Sequence, residues 1–234
     1  EKNDVPTSGY ENSIISSSIS TGFEQYKDID VSLGLSASYD DLRTLSSASS
    51  SLKKQSGEFT EISGNYGFAF DKRNRKFMPT DGSVITFRQA FPIFADKAFI
   101  DNTFLASNYV ALSEDVITAT KLYLTAVNGI DEDVRISKRK SLSSKRLRGF
   151  ERGKIGPVDS NDHIGGNYVV TFNTSSTIPY ILQTQESMDL KVFFDAGNIW
   201  GVDYSSSLDD SNTIRTSTGL ALEWITPIGP LSFT

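Results

Sequence analysis

The chain has 234 residues, a formal net charge of -6 at pH 7, no Cys and one His. Disulfides, thiolate metal sites, Cys nucleophiles and a multi-His metal site within this chain are therefore excluded. It contains no apolar run of the roughly 18 residues that a membrane-crossing helix needs, yet a hydrophobic content of 38% suits a membrane β-barrel as well as a soluble protein, because only alternate strand residues of a barrel face lipid.

In chain order, EKNDVPTSGY lacks the apolar segment of a signal peptide, and a first strand is expected over 12–24. In DIDVSLGLSASYD, Ile29, Val31, Leu33, Leu35, Ala37 and Tyr39 alternate with Asp30, Ser32, Gly34, Ser36, Ser38 and Asp40. That period of two demands a strand with one apolar and one polar face, here 29–40. GNYGFAFD repeats it, with Tyr66, Phe68 and Phe70 against Asn65, Gly67, Ala69 and Asp71; this strand is expected over 57–71. Strands at 82–92, 99–110 and 116–127 follow, the last two alternating poorly. After a long interruption come 166–178 and 188–199, where Leu190, Val192, Phe194 and Ala196 oppose Lys191, Phe193, Asp195 and Gly197. The strand at 213–225 sets Ile214, Leu220, Leu222 and Trp224 against Arg215, Ser217, Gly219, Ala221 and Glu223. A last strand starts at 229, and helical periodicity competes nowhere.

The fold class is all-β, about ten antiparallel strands. A soluble sandwich or lipocalin-like barrel gives the same alternation. Strands of 11–13 residues favour the membrane barrel, since they exceed the usual 5–6 of globular sheets and match the 9–11 that cross a bilayer at a tilt. Short connections near 25–28, 111–115 and 226–229 and long ones at 41–56, 128–165 and 200–212 fit short turns on one rim and long loops on the other. Tyr39, Trp200 and Trp224 stand where interfacial aromatics would. The polar face is rich in Ser, Gly, Ala and Thr, which suits a wet lumen better than a dry core.

The 128–165 connection concentrates positive charge in an acidic chain. From Arg135 to Lys154 it holds nine Lys or Arg and one acid, Glu151. A nucleic-acid patch needs exposed stacking aromatics beside the cations, and Phe150 alone is available, so no nucleic-acid partner is expected. Two readings remain: a solvated loop meeting anionic headgroups, or a loop folded back into a polar lumen. The second requires inward carboxylates, and Asp195 and Glu223 both lie on the polar phase of their strands. Glycines and a proline at Gly149, Gly153, Gly156, Pro157, Gly165 and Gly166 punctuate the loop and suggest a defined path.

RLRGF at 146–150, followed by GKIGP at 153–157, resembles the lumen-loop motif Val/Leu-Arg-Gly-Phe/Tyr of the bacterial outer-membrane-protein assembly factor family, the BamA family. DKRNRKFMPTDG at 71–82 resembles its Asp…Arg…Pro-Thr-x-Gly turn, and GGN at 165–167 opens the strand after the loop. FFDAGNIW at 193–200 and RTSTGLALEWITPIGPLSF at 215–233 resemble its later strands. These matches keep the family's order and cover most of residues 71–233; residues 1–70 match in pattern only.

The resemblance implies part of a C-terminal transmembrane barrel, residues 1–234, with the family's periplasmic transport-associated domains and terminal strand lying outside it. It implies localisation in the bacterial outer membrane, no cofactor, and a role in folding and inserting β-barrel proteins. Implied partners are unfolded outer-membrane protein clients, outer-membrane lipids and accessory assembly lipoproteins. Within the motif Arg146, Leu147, Arg148, Gly149, Phe150, Gly153, Gly156 and Pro157, it implies that Arg148 reaches Asp195 inside the barrel. Phe150 is then expected on the lumen wall, with Gly149 turning where a Cβ would clash and Gly197 leaving room for the loop. Two departures are visible. Ser175 occupies the position read as the family's second acidic partner, with Glu223 a possible substitute acceptor, and Ser143 and Ser144 stand where a Gly-Gly often precedes the motif. An excised piece of this kind is expected not to be a stable monomer in plain buffer, because its sheet edges and apolar face lack partners.

Other function classes are weaker on the residues. A two-partner-secretion-type translocation pore shares the superfamily, and a passive porin needs no lumen-filling loop. An enzyme is not expected, because a Ser-His-Asp triad has His163 alone to use, in a loop composition that explains it as an ordinary histidine. The Asp209–Asp210 pair lacks the spacing of a calcium loop.

Overall fold

A computed structural model describes residues 2–5, 9–179, 188–208, 213–226 and 229–234. The strands are β1 (Lys2–Val5), β2 (Tyr10–Tyr26), β3 (Ile29–Thr44), β4 (Gly57–Asp71), β5 (Gly82–Ala95), β6 (Phe99–Ala111) and β7 (Ile117–Gly129). After a long loop come β8 (Val158–Asp159), β9 (Asp162–His163), β10 (Tyr168–Thr177), β11 (Met188–Trp200), β12 (Arg215–Thr226) and β13 (Gly229–Phe233). All except β8 and β9 form one eleven-stranded sheet in the order β1 to β7, then β10 to β13. Every pairing is antiparallel. Among the described residues the edges β1 and β13 do not pair with each other, so the barrel is an open wall. The ten expected strands are present; β1, four residues too short to show a period, is additional in the sheet, and the two-residue β8 and β9 are additional within the loop.

The alternation sorts two faces. Ile15, Ile19, Leu33, Leu35, Phe68, Phe91, Val192, Phe194 and Leu220 are exposed on the outer face, with Ile19 at 74%. Among the described residues nothing covers this face, which is how a lipid-facing wall reads. The inner phase carries Ser36, Asp40, Glu61, Ser63, Asp101, Thr103, Lys121, Asn173, Asp195 and Ser217, lined up by the cross-strand register. Buried apolar residues gather under the loops. One cluster joins Leu42, Ala48, Leu52, Ile136, Ile164 and Val202, and a second joins Leu142, Leu147, Ile155, Val169 and Ile199.

The rims differ in two respects from the expected alternation. Lys27 and Asp28 form a tight turn with Asp28 at φ 66°, and 112–116 is short, on the same rim. The long-loop rim carries 45–56, 130–167 and 201–214, but also the three-residue connection 96–98, while 72–81 lengthens the short rim. Helix α1 (Ser50–Lys53) is one turn inside the 45–56 loop, capped by the Ser49 side chain accepting from the Leu52 N–H. Tyr39, with Tyr168 stacked on Trp200 at 5.8 Å, lies near the long-loop rim, and Trp224 lies near the other. The 226–229 turn falls partly outside the described residues, at 227–228, and Asp209–Asp210 falls wholly outside them.

The outward phase is testable in the full-length protein folded into bilayers. Leu35→Arg is expected to cost about 2–4 kcal/mol in a denaturant titration, the range for Arg on the lipid face of a barrel. Ser18→Arg, on the inner phase of β2, is expected to stay within about 0.5 kcal/mol of the parent, as for an ordinary surface change.

Candidate functional site: a loop docked inside the wall

Residues 130–167 leave the long-loop rim and pack against the inner phase of the wall. The motif at 146–150 fits it residue by residue. Asn173 on β10 donates to the Arg146 carbonyl at 2.8 Å, and the Arg146 guanidinium lies 3.7 Å over the Tyr123 ring on β7. Leu147, fully buried, points into the apolar cluster with Val169 and Ile199. Phe150 packs against the same cluster. The turn that presents them is made by Ser143, whose carbonyl accepts from the Arg146 and Leu147 N–H groups.

Arg148 meets Asp195 on β11. Its Nε donates to Oδ2 at 2.7 Å, its Nη2 to Oδ1 at 2.6 Å, and its backbone N–H to Oδ2 at 3.1 Å. Asp195 is fully buried, and the guanidinium also lies 3.7 Å over the Phe193 ring. Arg suits this role because its planar fork matches a carboxylate bidentately and stays charged. At about 4 Å and an effective dielectric near 20 the attraction is roughly 4 kcal/mol before desolvation.

The glycines act differently from what the sequence suggests. Gly149 has φ 81°, and a Cβ there would find nothing closer than Ser217 Cβ at 3.8 Å, so glycine is required by backbone conformation rather than crowding. Gly153 repeats this at φ 75° with nothing near. Gly156 combines φ 101° with a close approach to Ile199, and the buried Pro157 carbonyl accepts from the Ile164 N–H. Gly197 does not make room for the loop: a Cβ there would strike the Val170 carbonyl and the Thr171 side chain of β10.

The register revises the acceptors. Asp195 lies opposite Asn173 on one side and Ser217 on the other, whereas Ser175 lies opposite Phe193. The β10 side chain beside the Arg148–Asp195 pair is therefore Asn173, two residues before Ser175. Glu223 does face inward, but it pairs with Lys191 rather than Arg148. Neighbouring strands share no sequence proximity, so the pattern carried no signal for either.

Three further cations of the loop meet wall carboxylates. Arg135 lies 3.5 Å from Asp40 on β3, Lys138 lies 2.7 Å from Glu61 on β4, and Lys140 pairs with Asp101 on β6. Ser137 also donates to Asp40 at 2.7 Å. The Arg135 guanidinium stacks 4.1 Å over Phe59. Burial lowers the Arg135 pKa, against the opposing pull of Asp40, Glu61 and Asp96. Asp203 in the next long loop closes the arrangement, accepting from the Val134 N–H at 2.8 Å and the Asn167 amide at 2.6 Å. Lys140 and Gly166 exchange backbone hydrogen bonds at 2.8 and 3.1 Å, so the loop is tied back on itself just before it re-enters the wall. Inward phase marked the wall carboxylates as candidates, but Asp203 had no sequence signal.

His163 lies in β9, opposite Val158, within the loop and half-buried. No group of three or more His, Cys, Asp or Glu that could hold a metal occurs among the described residues. In the same loop Asp159 accepts from Ser49 at 2.6 Å and from the Tyr204 hydroxyl at 2.8 Å. Burial, with that bond second, pushes the Tyr204 phenol up to about 12.

A sheet with one bare apolar face, one polar face and a cationic loop on the polar side defines the wall of a transmembrane β-barrel with an occupied lumen. The Omp85 superfamily domain matches residues 1–234, and the chain belongs to that superfamily. It is similar to an outer membrane protein assembly factor BamA from Neorickettsia risticii, 25% identical over 98% of this chain and 32% of the relative. It is also similar to a BamA from Nitratidesulfovibrio vulgaris, 27% identical over 78% of this chain and 23% of the relative. A SAM50-like protein from Schizosaccharomyces pombe is 27% identical over 77% of this chain and 41% of its own length. The crystal structure of BamA from Haemophilus ducreyi lacking POTRA domains 1–3 superposes with a TM-score of 0.83, at 24% identity, over 96% of this chain and 50% of that one. CdiB from Acinetobacter baumannii superposes at 0.60, with 9% identity, over 93% of this chain and 37% of that one. The chain thus spans about a third of the length of the first relative and half that of the first structure.

In the full-length protein, Arg148→Ala or Asp195→Ala is expected to cost about 3–5 kcal/mol, because either leaves a desolvated partner; denaturant titration of folded protein in bilayers measures this. Tyr204 gives a pH signature. Its folded pKa is raised from 10.0 to about 12, so its contribution is whole below pH 10 and lost as pH rises through 12. Alkaline absorbance titration is expected to lose a tyrosinate step near pH 12 in Tyr204→Phe.

Proposed function

We propose that this chain is barrel wall of a machine that folds and inserts β-barrel proteins into the bacterial outer membrane. The observation that carries the reading is the 130–167 loop seated on the inner wall through Arg148 and Asp195, in a chain of the Omp85 superfamily whose similar proteins include assembly factors. The reading uses no cofactor and no covalent intermediate. The wall would guide strand addition and the bare outer band would meet the bilayer; the docked loop would keep the wall strands in register. Clients are unfolded outer-membrane proteins, and accessory assembly lipoproteins are expected partners.

The alternative of a translocation pore rests on membership of the superfamily alone; the superposition on CdiB speaks to the fold only and is less close than that on BamA. A passive porin fits poorly with a lumen-facing surface occupied by a packed, ion-paired loop. A count of periplasmic repeats in the full reading frame would separate the first two: several for assembly, about two for secretion.

The test is charge exchange in the full-length protein, scored by folded outer-membrane barrels in cells depleted of the native copy. Arg148→Asp and Asp195→Arg are each expected to reduce assembly, and the double exchange to recover part of it. A double exchange no better than either single change would refute the pairing as the basis of function.

A further inference from the structure

The 71–82 turn on the short rim takes no part in loop docking, yet it is built in detail. Asp71 holds Arg73 by Nε at 2.8 Å and Nη2 at 2.7 Å. The Asn74 side chain donates to Thr80 at 2.7 Å and accepts from the Thr80 and Asp81 N–H groups. Arg75 donates to the Met78 carbonyl at 2.6 Å. A Cβ at Gly82 would strike the Lys72 carbonyl, and φ is 93° there.

What this frame displays is cationic and aromatic. Lys72, Arg75 and Lys76 are exposed, and among the described residues none of them forms an ion pair. Phe77 at the tip is 59% exposed. The carboxylates on this rim are Asp71, engaged by Arg73, Asp81 on the turn itself, Glu24 and Asp28 at the adjoining β2–β3 turn beside Lys27, and Glu114 and Asp115 in the 112–116 turn. Among the described residues none of these carboxylates is within ion-pair distance of Lys72, Arg75 or Lys76. The decisive contact is Lys72, whose ammonium lies 5.2 Å over the Phe70 ring. Phe70 belongs to the outward phase, in line with Phe68 and opposite Ile85. The cations therefore begin where the lipid-facing apolar column ends.

We infer that the Asp71–Gly82 turn is a folded anchor for the phospholipid leaflet on the short-turn side, with Lys72, Arg75 and Lys76 engaging anionic headgroup phosphates and Phe77 seated in the interfacial layer. An aromatic beside cations is the composition that such a layer retains. Each cation near an anionic leaflet is worth about a fivefold preference. The inference rests on the reading that the outer face lies in a bilayer, and the experiment separates the two.

The full-length protein, made otherwise cysteine-free, carries an environment-sensitive fluorophore at Phe77→Cys. Met78→Cys, whose side chain takes no part in the turn's hydrogen bonds, serves as a second position, should the first not fold. Phe194→Cys, on the outward wall, is the control. Vesicles of zwitterionic lipid, with or without anionic phosphatidylglycerol, contain spin labels at shallow or deep positions. The anchor predicts that the turn label is quenched most by shallow spin labels and more strongly with anionic lipid. The triple change Lys72→Gln, Arg75→Gln, Lys76→Gln is expected to abolish that anionic response. A turn label in water, untouched by lipid while the control is quenched, overturns the anchor alone. A response unaltered by anionic lipid or by the triple change also overturns it. An unquenched control overturns the membrane reading as well.

Discussion

Asp195 is a carboxylate placed where water does not reach it, on the inner phase of a long strand. Such a charge, left alone, costs several kcal/mol, so the fold is complete only when a cation arrives. Arg148 supplies it with a bidentate fork and adds its own backbone N–H. The surroundings follow from that demand. Phe193 gives the guanidinium a ring to lie on, and Gly219 leaves the space that the Phe193 ring occupies. Gly149 then turns the chain back over Ser217 with a backbone conformation that other residues rarely adopt.

Docking does not depend on one contact. The loop's cations meet β3, β4, β6 and β11 in turn, through Asp40, Glu61, Asp101 and Asp195. The concentration of positive charge in an acidic chain thus has an internal explanation: the wall carries the complementary carboxylates. Apolar packing runs alongside, with Leu142, Leu147 and Ile155 against Val169 and Ile199. The loop spans the inner surface as a brace, so a rearrangement of the wall must break or slide several pairs together. Asp203 and Asp159 extend the same logic to the neighbouring long loops.

The strands were legible because one face is bare to lipid and the other is wet, which writes a period of two over a dozen residues. The period blurs at β6 and β7 for a physical reason: Asn102, Asn108, Thr118 and Thr120 occupy outward positions, so both faces carry polar groups. There Gln89 donates to Asn102 and accepts from Tyr66, a small hydrogen-bonded row on the outer wall. The Arg148–Asp195 juxtaposition came from a motif resemblance, not from periodicity. Parity gives the face of a residue but not its neighbour across strands. That is why Asn173 rather than Ser175 adjoins the pair and why Glu223 belongs to Lys191. Gly197 shows the same limit, its space taken by β10 rather than the loop.

The seat of the loop tip can be tested by a covalent link. A Cβ on Gly149 would lie 3.8 Å from Ser217 Cβ, within the range a disulfide requires, and the chain has no other Cys to compete. In Gly149→Cys the backbone must hold φ 81°, at a cost of about 1–3 kcal/mol, which the several loop–wall ion pairs are expected to outweigh. Gly149→Cys and Ser217→Cys are introduced together into the full-length protein, made otherwise cysteine-free, with Gly149→Ala as the control for strain. Mild oxidation of the membrane-embedded form is then expected to join the two. The link should appear as a mobility shift reversed by reductant. Two thiols that stay free under oxidation, both open to a water-soluble maleimide, would place the loop outside the barrel and contradict the account.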